Sequence, residues 1–315
     1  MKVESRRVLP VSRTVPSAIA VLAARVKVHQ AMTNRRGNSM SLEAPAWICS
    51  TCGVQYAEST EPPPTCAICL DERQYVGWDG QRWTTQAELG ADHRNEVRQE
   101  EPNLLGIGTS PPFAIGQRAL LVRMPSGNVL WDCISLLDDA TVDAVADLGG
   151  VAAVCVSHPH FYASCVDWAD AFDASIWVPA ADRAWIMRPS PRVQIWDTDT
   201  VEPVAGCTLA RIGGHFDGAA VLHWPAGAGG RGALLTGDTV TVVQDRAWVS
   251  FMRSYPNLIP LDPATVLDIA ERVGRFDFER IYGGWWGRVV VGDGAGAVRR
   301  SAERYVASAT TRRGH

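Results

Sequence analysis

The stretch Val-Ala-Ala-Val-Cys-Val-Ser-His-Pro-His-Phe-Tyr-Ala, residues 151–163, decides the fold. Its first six residues form a continuous apolar run, which is typical of a strand buried on both faces. Two histidines, His158 and His160, follow at the point where this strand would end in a loop. A lone histidine at a strand end is usually a satisfied polar group, so this pair gains meaning only if further ligands join it.

Two later apolar runs end in the same way. Gly213-Gly214-His215 follows the run 209–212, and Gly237-Asp238 follows the run 233–236. Glycine lets the backbone approach a shared centre closely, and three histidines with one aspartate form a ligand set for zinc or ferrous iron. We therefore predict that four side chains converge on one metal ion: His158, His160, His215 and Asp238.

Strand and helix patterns alternate on both sides of these runs. Strands are predicted over residues 113–124, 129–133, 151–156, 208–212, 220–224 and 233–236, and helices over residues 138–148, 163–172, 263–273 and 297–307. Strands interleaved with helices and hairpins indicate sheets that are covered by helices on their outer faces. The predicted fold class is therefore α/β (α+β).

Four cysteines near the N-terminus form a separate pattern. Cys49-Ser-Thr-Cys52 and Cys66-Ala-Ile-Cys69 are two CxxC pairs separated by thirteen residues, a spacing that presents four thiolates to a tetrahedral zinc or iron ion. The alternative is two disulfides in a secreted domain, but the other four cysteines stand singly in apolar stretches, as reduced buried thiols do. We predict a zinc ribbon over residues 46–93, held together by its metal because so small a module buries little apolar surface.

The motifs after this ribbon resemble those of the metallo-β-lactamase-fold superfamily, over most of residues 113–305. That superfamily carries an HxHxDH motif, a lone histidine after a strand, an aspartate after a glycine and a final histidine, on an αββα sandwich. His158 and His160 match the first two motif histidines, His215 the third and Asp238 the bridging aspartate. Asp132 is similar to an aspartate that the family often has at the end of an early hairpin, where it supports the loop. The four-cysteine module is similar to rubredoxin-like modules and zinc ribbons.

The chain departs from the family pattern at the second metal site. Tyr162 and Ala163 stand where the motif has Asp and His, and Gly283-Gly284-Trp285-Trp286 stands near the final histidine. The resemblance therefore implies one metal ion in this domain, and the cysteine spacing predicts another in the ribbon. We expect zinc in each case, with iron as the alternative at either site.

The resemblance implies a metal-dependent hydrolase that uses one metal-activated water on a small ester, thioester, lactone or amide. Asp238 would orient or deprotonate the water or ligate the metal, and Tyr162 would donate to an oxyanion, unless its ring only fills the vacated space. One alternative is a mononuclear iron dioxygenase of thiols or persulfides, with His158, His215 and Asp238 as ligands. Another is a non-catalytic, metal-stabilised scaffold that binds a ligand.

Two further features are predicted to line the mouth of this site. The apolar segment 249–260 would form a wall or lid, with Arg253 as an anion contact. Several tryptophans would lie nearby: Trp168, Trp248, Trp285 and Trp286.

Composition bounds the remaining possibilities. The 315 residues are 46% hydrophobic with a net charge of −4, which gives no basic face for nucleic acid, and no apolar run is long enough to cross a bilayer.

Residues 1–39 hold eight Lys or Arg against one acid and no apolar periodicity, so we expect a disordered extension rather than a transit peptide or secretory signal. Residues 94–112, polar and then rich in Gly and Pro, are predicted to be a linker to a domain over 113–310. We expect a cytoplasmic protein with a small-molecule substrate; the sequence does not fix the oligomeric state.

Overall fold

The computed structural model describes residues 44–310, which contain twenty strands, six helices and one short helical turn at Gly227–Gly230. In chain order the strands are β1 (Ala46–Cys49), β2 (Gln55–Glu58), β3 (Trp83–Thr84), β4 (Arg94–Glu101), β5 (Leu104–Ser110), β6 (Arg118–Val122), β7 (Val129–Trp131), β8 (Ala153–Cys155), β9 (Ser175–Pro179), β10 (Val193–Trp196), β11 (Thr200–Val201), β12 (Thr208–Arg211), β13 (Ala220–Trp224), β14 (Ala233–Gly237), β15 (Thr241–Val242), β16 (Val249–Ser250), β17 (Met252–Ser254), β18 (Ile259–Pro260), β19 (Arg280–Gly283) and β20 (Val289–Val290). The helices are α1 (Ala67–Leu70), α2 (Gln86–Asp92), α3 (Asp139–Asp147), α4 (Cys165–Phe172), α5 (Pro263–Val273) and α6 (Gly294–Thr310), with 3-10 turns at Pro159–Phe161 and Ala180–Trp185. The extension predicted over residues 1–39 lies outside the described residues.

Two large sheets pack face to face. One has seven strands in the order β10-β9-β8-β7-β6-β5-β4, and the other has six in the order β11-β12-β13-β14-β19-β20. Side chains from both sheets share one buried cluster, which includes Leu120, Trp131, Leu222 and Leu235. This cluster is the inner layer of the sandwich.

Helices cover the two outer faces. A second cluster joins the seven-stranded sheet to α3 and α4, and a third joins the six-stranded sheet to α5 and α6. Strand β6 is apolar after Arg118 because both of its faces are buried: Leu120 and Val122 face the other sheet, whereas Ala119 and Leu121 face the helices. The predicted αββα sandwich is confirmed.

Helix starts follow the capping signals of the sequence. The carboxylate of Asp138 accepts a hydrogen bond from the Thr141 N–H before α3, and that of Asp262 accepts one from the Thr265 N–H before α5. The predicted helix over residues 263–273 coincides with α5, and that over 138–148 differs from α3 by one residue at each end.

The prediction of a linker over residues 94–112 is wrong. Strands β4 and β5 form an antiparallel hairpin at one edge of the seven-stranded sheet. The sequence of β4 is polar because an edge strand exposes much of its surface. Gly106 and Gly108 in β5 do not indicate flexibility, since a Cβ atom at either position would lie 2.6 or 2.7 Å from the side chain of Trp286.

The four-cysteine module packs against the sandwich. Its sheet has the order β2-β1-β3, and the Gln55 N–H donates to the Ala163 carbonyl at 3.0 Å. The Gln55 side chain also donates to Asp167 at 2.8 Å, and Arg188 donates to both of these residues. The module is therefore fixed next to the loop that carries His158 and His160.

None of the helices within residues 44–310 has the length and apolarity needed to cross a membrane.

Candidate metal centres

Three buried strands deliver the predicted ligands to one place. His158 and His160 follow β8, His215 follows β12 and Asp238 follows β14. One ligand atom from each of the four lies within 4.8 Å of every other, and all four residues are buried. The structure thus brings together the whole set predicted from the sequence.

The spacing of the ligand atoms suits a tetrahedral metal ion. Asp238 Oδ1 lies 3.1 Å from His158 Nε2 and 3.7 Å from His215 Nε2, and His160 Nδ1 lies 3.4 Å from His215 Nε2. Zinc bonds of about 2.0–2.2 Å to nitrogen and oxygen place tetrahedral ligand atoms about 3.3–3.6 Å apart. The three observed distances bracket that range.

Two of these atoms lack any other partner. His158 Nε2 and Asp238 Oδ1 are fully buried and make no hydrogen bond among the described residues. A buried polar atom without a partner costs about 1–3 kcal/mol. A cation between these atoms would remove that cost, so the residues present fit a metal ion.

The other ring nitrogens fix the orientation of two imidazoles. His215 Nδ1 donates to the Met252 carbonyl at 3.0 Å, because a carbonyl can only accept, and this leaves the lone pair on Nε2. His158 Nδ1 lies 2.9 Å from Ser157 Oγ. Partners of this kind orient metal-binding histidines in known sites.

Burial shifts the pKa values of three of the ligand side chains in favour of their uncharged forms. It is the main cause that lowers the pKa of His158 and of His160 well below that of a free imidazole, and the neighbouring His215 and Arg73 act in the same direction. Neutral imidazoles are the form that binds metal. Burial also raises the pKa of Asp238.

Asp132 supports the ligand loop, as its place in the sequence predicts. Its Oδ1 accepts a hydrogen bond from the Ser157 N–H at 2.7 Å, next to His158. Burial raises the pKa of Asp132 to about 8. Asp132 therefore holds the backbone of the loop that carries the first two histidines.

The phenyl ring of Phe161 fills the space between His158 and Trp285. Phe161 is fully buried, and its ring centroid lies 4.9 Å from that of His158 and 5.6 Å from that of Trp285. A Cβ atom on Gly284 would lie 2.6 Å from the Phe161 ring, so glycine at 284 makes room for the phenyl group. Within residues 44–310, the His158 group and the four cysteines are the clusters in which three or more His, Cys, Asp or Glu side chains lie close enough to share a metal ion.

Tyr162, the other residue predicted to act in catalysis, packs elsewhere. Its ring belongs to the cluster between the seven-stranded sheet and its helices. Its buried hydroxyl makes no hydrogen bond within the described residues, and burial raises its pKa well above the usual value. This placement fits the alternative that the ring fills space, and we assign Tyr162 no catalytic role.

The segment 249–260 lies against the histidine site, but Arg253 forms an ion pair within the protein, so the prediction that it contacts an anion has no support. Arg253 pairs with Glu72 of the ribbon. Strands β17 and β18 form a hairpin whose Met252 carbonyl holds His215 and whose Tyr255 hydroxyl donates to the Asp238 carbonyl at 2.9 Å. The predicted wall is therefore also a support for two ligands.

All four tryptophans predicted near the mouth have structural contacts, and the Arg304 guanidinium lies 3.6 Å above the Trp248 ring. Trp168 is fully buried, and its indole N–H donates to the Ile134 carbonyl. The Trp285 indole donates to the Ile115 carbonyl, and Trp286 lies on β5 between Arg98 and Arg118.

The four cysteines form a second closed cluster. The Sγ atoms of Cys49 and Cys69 lie 3.6 Å apart, as do those of Cys52 and Cys66. A disulfide requires about 2.05 Å, whereas zinc bonds of about 2.3 Å place two sulfurs about 3.8 Å apart. Gln81 and Tyr56 donate hydrogen bonds to Cys49 and Cys66, as suits thiolates. The geometry fits a metal ion and excludes the alternative of two disulfides.

Sequence reasoning missed Arg73 and Phe216. Phe216 directly follows His215, and its ring packs against all three histidine rings at centroid distances of 5.0 to 5.6 Å. The Arg73 guanidinium lies 3.8 Å above the Phe216 ring. The position of Phe216 beside a ligand was a usable signal, but nothing in the sequence links Arg73 to a residue 143 positions away.

Comparison with known proteins places the chain in a family. No protein-family model matches it. It is 47% identical over 264 residues to the uncharacterized protein YmaE of Bacillus subtilis (strain 168), covering 83% of this chain and 96% of YmaE. The chain belongs to the YmaE family.

Solved structures show the fold of this YmaE-family chain. It is similar to the DIM-1 metallo-β-lactamase, with a TM-score of 0.52 at 12% identity over 69% of this chain and 99% of DIM-1. VMB-1 gives the same TM-score at 14% identity, also over 69% of this chain and 99% of VMB-1. The YmaE-family sandwich therefore has the metallo-β-lactamase fold, as its motifs predict.

Proposed function

We propose that this YmaE-family chain is a hydrolase with one metal ion in its sandwich domain, acting on a small ester, thioester, lactone or amide. The observation that supports it most is the convergence of three imidazoles and one carboxylate, two of whose atoms are buried without a hydrogen bond. In the same proposal the four cysteines hold a structural zinc ion in the ribbon.

Three histidines would hold the catalytic ion: His158 and His215 through Nε2 and His160 through Nδ1. Zinc bound by three protein ligands supplies hydroxide at neutral pH, by lowering the pKa of its water from 15.7 to about 7. Ser157 and the Met252 carbonyl keep two of the imidazoles in the binding orientation.

Asp238 is the acid–base group of the proposal. Its Oδ1 faces the ligand nitrogens, and the Tyr255 hydroxyl fixes its backbone carbonyl. In this role Asp238 leaves the fourth position on the ion to the water, which its carboxylate would orient and whose proton Oδ1 would accept. Since three histidines would suffice to hold a stabilising ion, the buried Asp238 favours an enzyme over a passive scaffold.

The replacement of second-site ligands restricts the substrate. With Tyr162 packed in the core and Ala163 lacking a ligand atom, no second cation would stabilise a leaving group. Substrates with good leaving groups, such as thioesters, lactones and activated esters, suit this arrangement.

Asp238→Asn tests the assignment. The amide keeps an oxygen near His158 but accepts no proton, so we expect the variant to retain its metal while kcat falls about 10²- to 10⁴-fold, the range of general acid–base catalysis. The matched control is Asp143→Asn on the exposed face of α3, which should turn over like the wild type. Panels of thioesters, lactones and aryl esters supply the substrates.

Two results would reject the proposal. Full metal content without turnover on any panel would favour the ligand-binding scaffold. Iron in the site with oxygen uptake on a thiol substrate would favour the mononuclear dioxygenase, for which two histidines and Asp238 Oδ1 are a suitable ligand set.

A further inference from the structure

The segment that follows the last ribbon cysteine lies against the histidine site. Asp71 and Arg73 come two and four residues after Cys69, and both act electrostatically on His160. Arg73 is only 8% exposed. An arginine from the ribbon is therefore buried beside the proposed catalytic centre of the other module.

Arg73 contacts the His215 and Phe216 pair directly. Its Nη1 donates to the His215 carbonyl at 3.3 Å, and its guanidinium lies 3.8 Å above the Phe216 ring. Phe216 packs in turn against the rings of His158, His160 and His215. A displacement of Arg73 would thus reach all three imidazoles through one phenyl ring.

The guanidinium is itself held in place. Asp71 accepts from Nε at 2.6 Å and from Nη2 at 2.9 Å, which is a bidentate pair. Planar bidentate pairing fixes the plane of an arginine, which a lysine in the same place cannot reproduce.

The backbone of the same segment holds the hairpin of β17 and β18. Ser254 Oγ donates to the Arg73 carbonyl at 3.1 Å, and Asn257 Nδ2 donates to the Glu72 and Gln74 carbonyls at 2.9 Å each. This hairpin supplies the Met252 carbonyl to His215 Nδ1 and the Tyr255 hydroxyl to the Asp238 carbonyl. Two independent sets of contacts therefore run from the ribbon to the ligands.

We propose that Arg73 is a positioning residue of the histidine site, through which the metal-bound ribbon sets the affinity of that site for its own metal ion. The inference rests on the proposed function only in that it concerns the same metal site. Because Cys69 begins this segment, metal bound by the four cysteines would anchor the point from which Arg73 extends.

An electrostatic role and a positioning role of Arg73 predict opposite effects of Arg73→Ala on the zinc affinity of the histidine site. The positive charge of Arg73 by itself opposes a cation nearby, so a purely electrostatic role predicts tighter metal binding when it is removed. A positioning role predicts weaker binding, because the imidazoles lose their fixed geometry. Changing an outer partner of a metal ligand typically lowers affinity 10- to 100-fold.

The test is the zinc dissociation constant of the histidine site in the full chain, measured by competition with a chelator. Cobalt substitution reports the ribbon separately through its thiolate charge-transfer bands. We expect Arg73→Ala to raise that constant 10- to 100-fold with the ribbon bands unchanged, and Arg73→Lys to restore only a small part. Arg82→Ala is the matched control, since Arg82 is an exposed ribbon arginine paired only with Asp79 among the described residues.

A second variant guards against a folding defect in the first. Asn257→Ala removes two hydrogen bonds to the ribbon segment without touching Arg73 or a ligand, and it should raise the same constant severalfold. Unchanged or tighter zinc binding in Arg73→Ala, or full restoration by Arg73→Lys, would overturn the inference. Since zinc binding is measured without turnover, an inactive but metal-bound wild type would reject the proposed function and leave this inference standing.

Discussion

At the scale of single residues, two of the three imidazoles of the site are oriented by the partner of the nitrogen that faces away from the centre. His215 Nδ1 donates to the Met252 carbonyl, which leaves the lone pair of the neutral ring on Nε2, and Ser157 lies beside His158 Nδ1. The protein therefore determines which atoms face the centre before any ion arrives. Asp132 and Tyr255 do the same for the backbone beside His158 and Asp238.

Tyr162→Phe separates a catalytic tyrosine from a packing tyrosine. The buried hydroxyl makes no hydrogen bond within the described residues, so its removal should stabilise the fold by about 1 kcal/mol. Denaturant unfolding measures this, and kcat should stay within twofold of the wild type. A loss of activity by a factor of a hundred with stability intact would restore Tyr162 to the mechanism.

Asp182 gives the fold a pH dependence opposite to that of a salt-bridged carboxylate. Burial raises the pKa of Asp182 to about 6, although the Gly218 N–H donates to it. Its stability contribution is present below the unfolded pKa of about 3.9 and is lost as the pH rises through 6, by about 2 kcal/mol between pH 4 and 7.

Asp182→Asn should remove that loss, because an amide keeps the acceptor for Gly218 but cannot ionise. Relative to the wild type, the variant should gain about 2 kcal/mol in unfolding free energy on going from pH 4 to pH 7. Denaturant titrations at the two pH values measure the difference, with Asp143→Asn as an exposed control that tracks the wild type. A constant offset between Asp182→Asn and the wild type would show that Asp182 does not titrate in this range.

At the scale of elements, the sequence predicted the site from the ends of buried strands, but it did not predict the edge hairpin of β4 and β5. The apolar runs ending in His158, His215 and Asp238 could be read from the sequence because buried strands and ligand spacing are local patterns. Strands β4 and β5 could not, because their glycines accommodate Trp286, about 180 positions later. The contacts of Arg73 could not be predicted either, because they also join residues that are far apart in the sequence.

Gly106→Ala tests this explanation of β5. A Cβ atom there would lie 2.6 and 2.8 Å from two atoms of the Trp286 ring, which Arg98 and Arg118 stack against, so the ring has little freedom to move. Overpacking of this kind costs about 1–3 kcal/mol. Thermal unfolding should show the loss, while Gly77→Ala, which meets no atom within 4 Å, should leave the melting temperature nearly unchanged. Equal melting temperatures for both variants would contradict the close packing of Trp286.

At the scale of the whole molecule, the two proposed metal sites are linked by the ribbon segment that follows Cys69. The ribbon contacts the loops that carry His160 and His215, and it contacts the hairpin of β17 and β18, whose Tyr255 hydroxyl donates to the Asp238 carbonyl. The two modules are therefore joined at the proposed catalytic centre. The sequence predicted both ligand sets and the sandwich, because each depends on local spacing. It could not predict that the modules meet at the site, since that depends on contacts between distant segments.

The metal content of the full chain and of His158→Ala tests the central claim most directly. Elemental analysis after dialysis should give two metal ions per wild-type chain and one per His158→Ala chain, because the ribbon keeps its own ion when the histidine site loses its ligand. An equal metal count in the wild type and in His158→Ala would show that His158, His160, His215 and Asp238 do not form a common metal site.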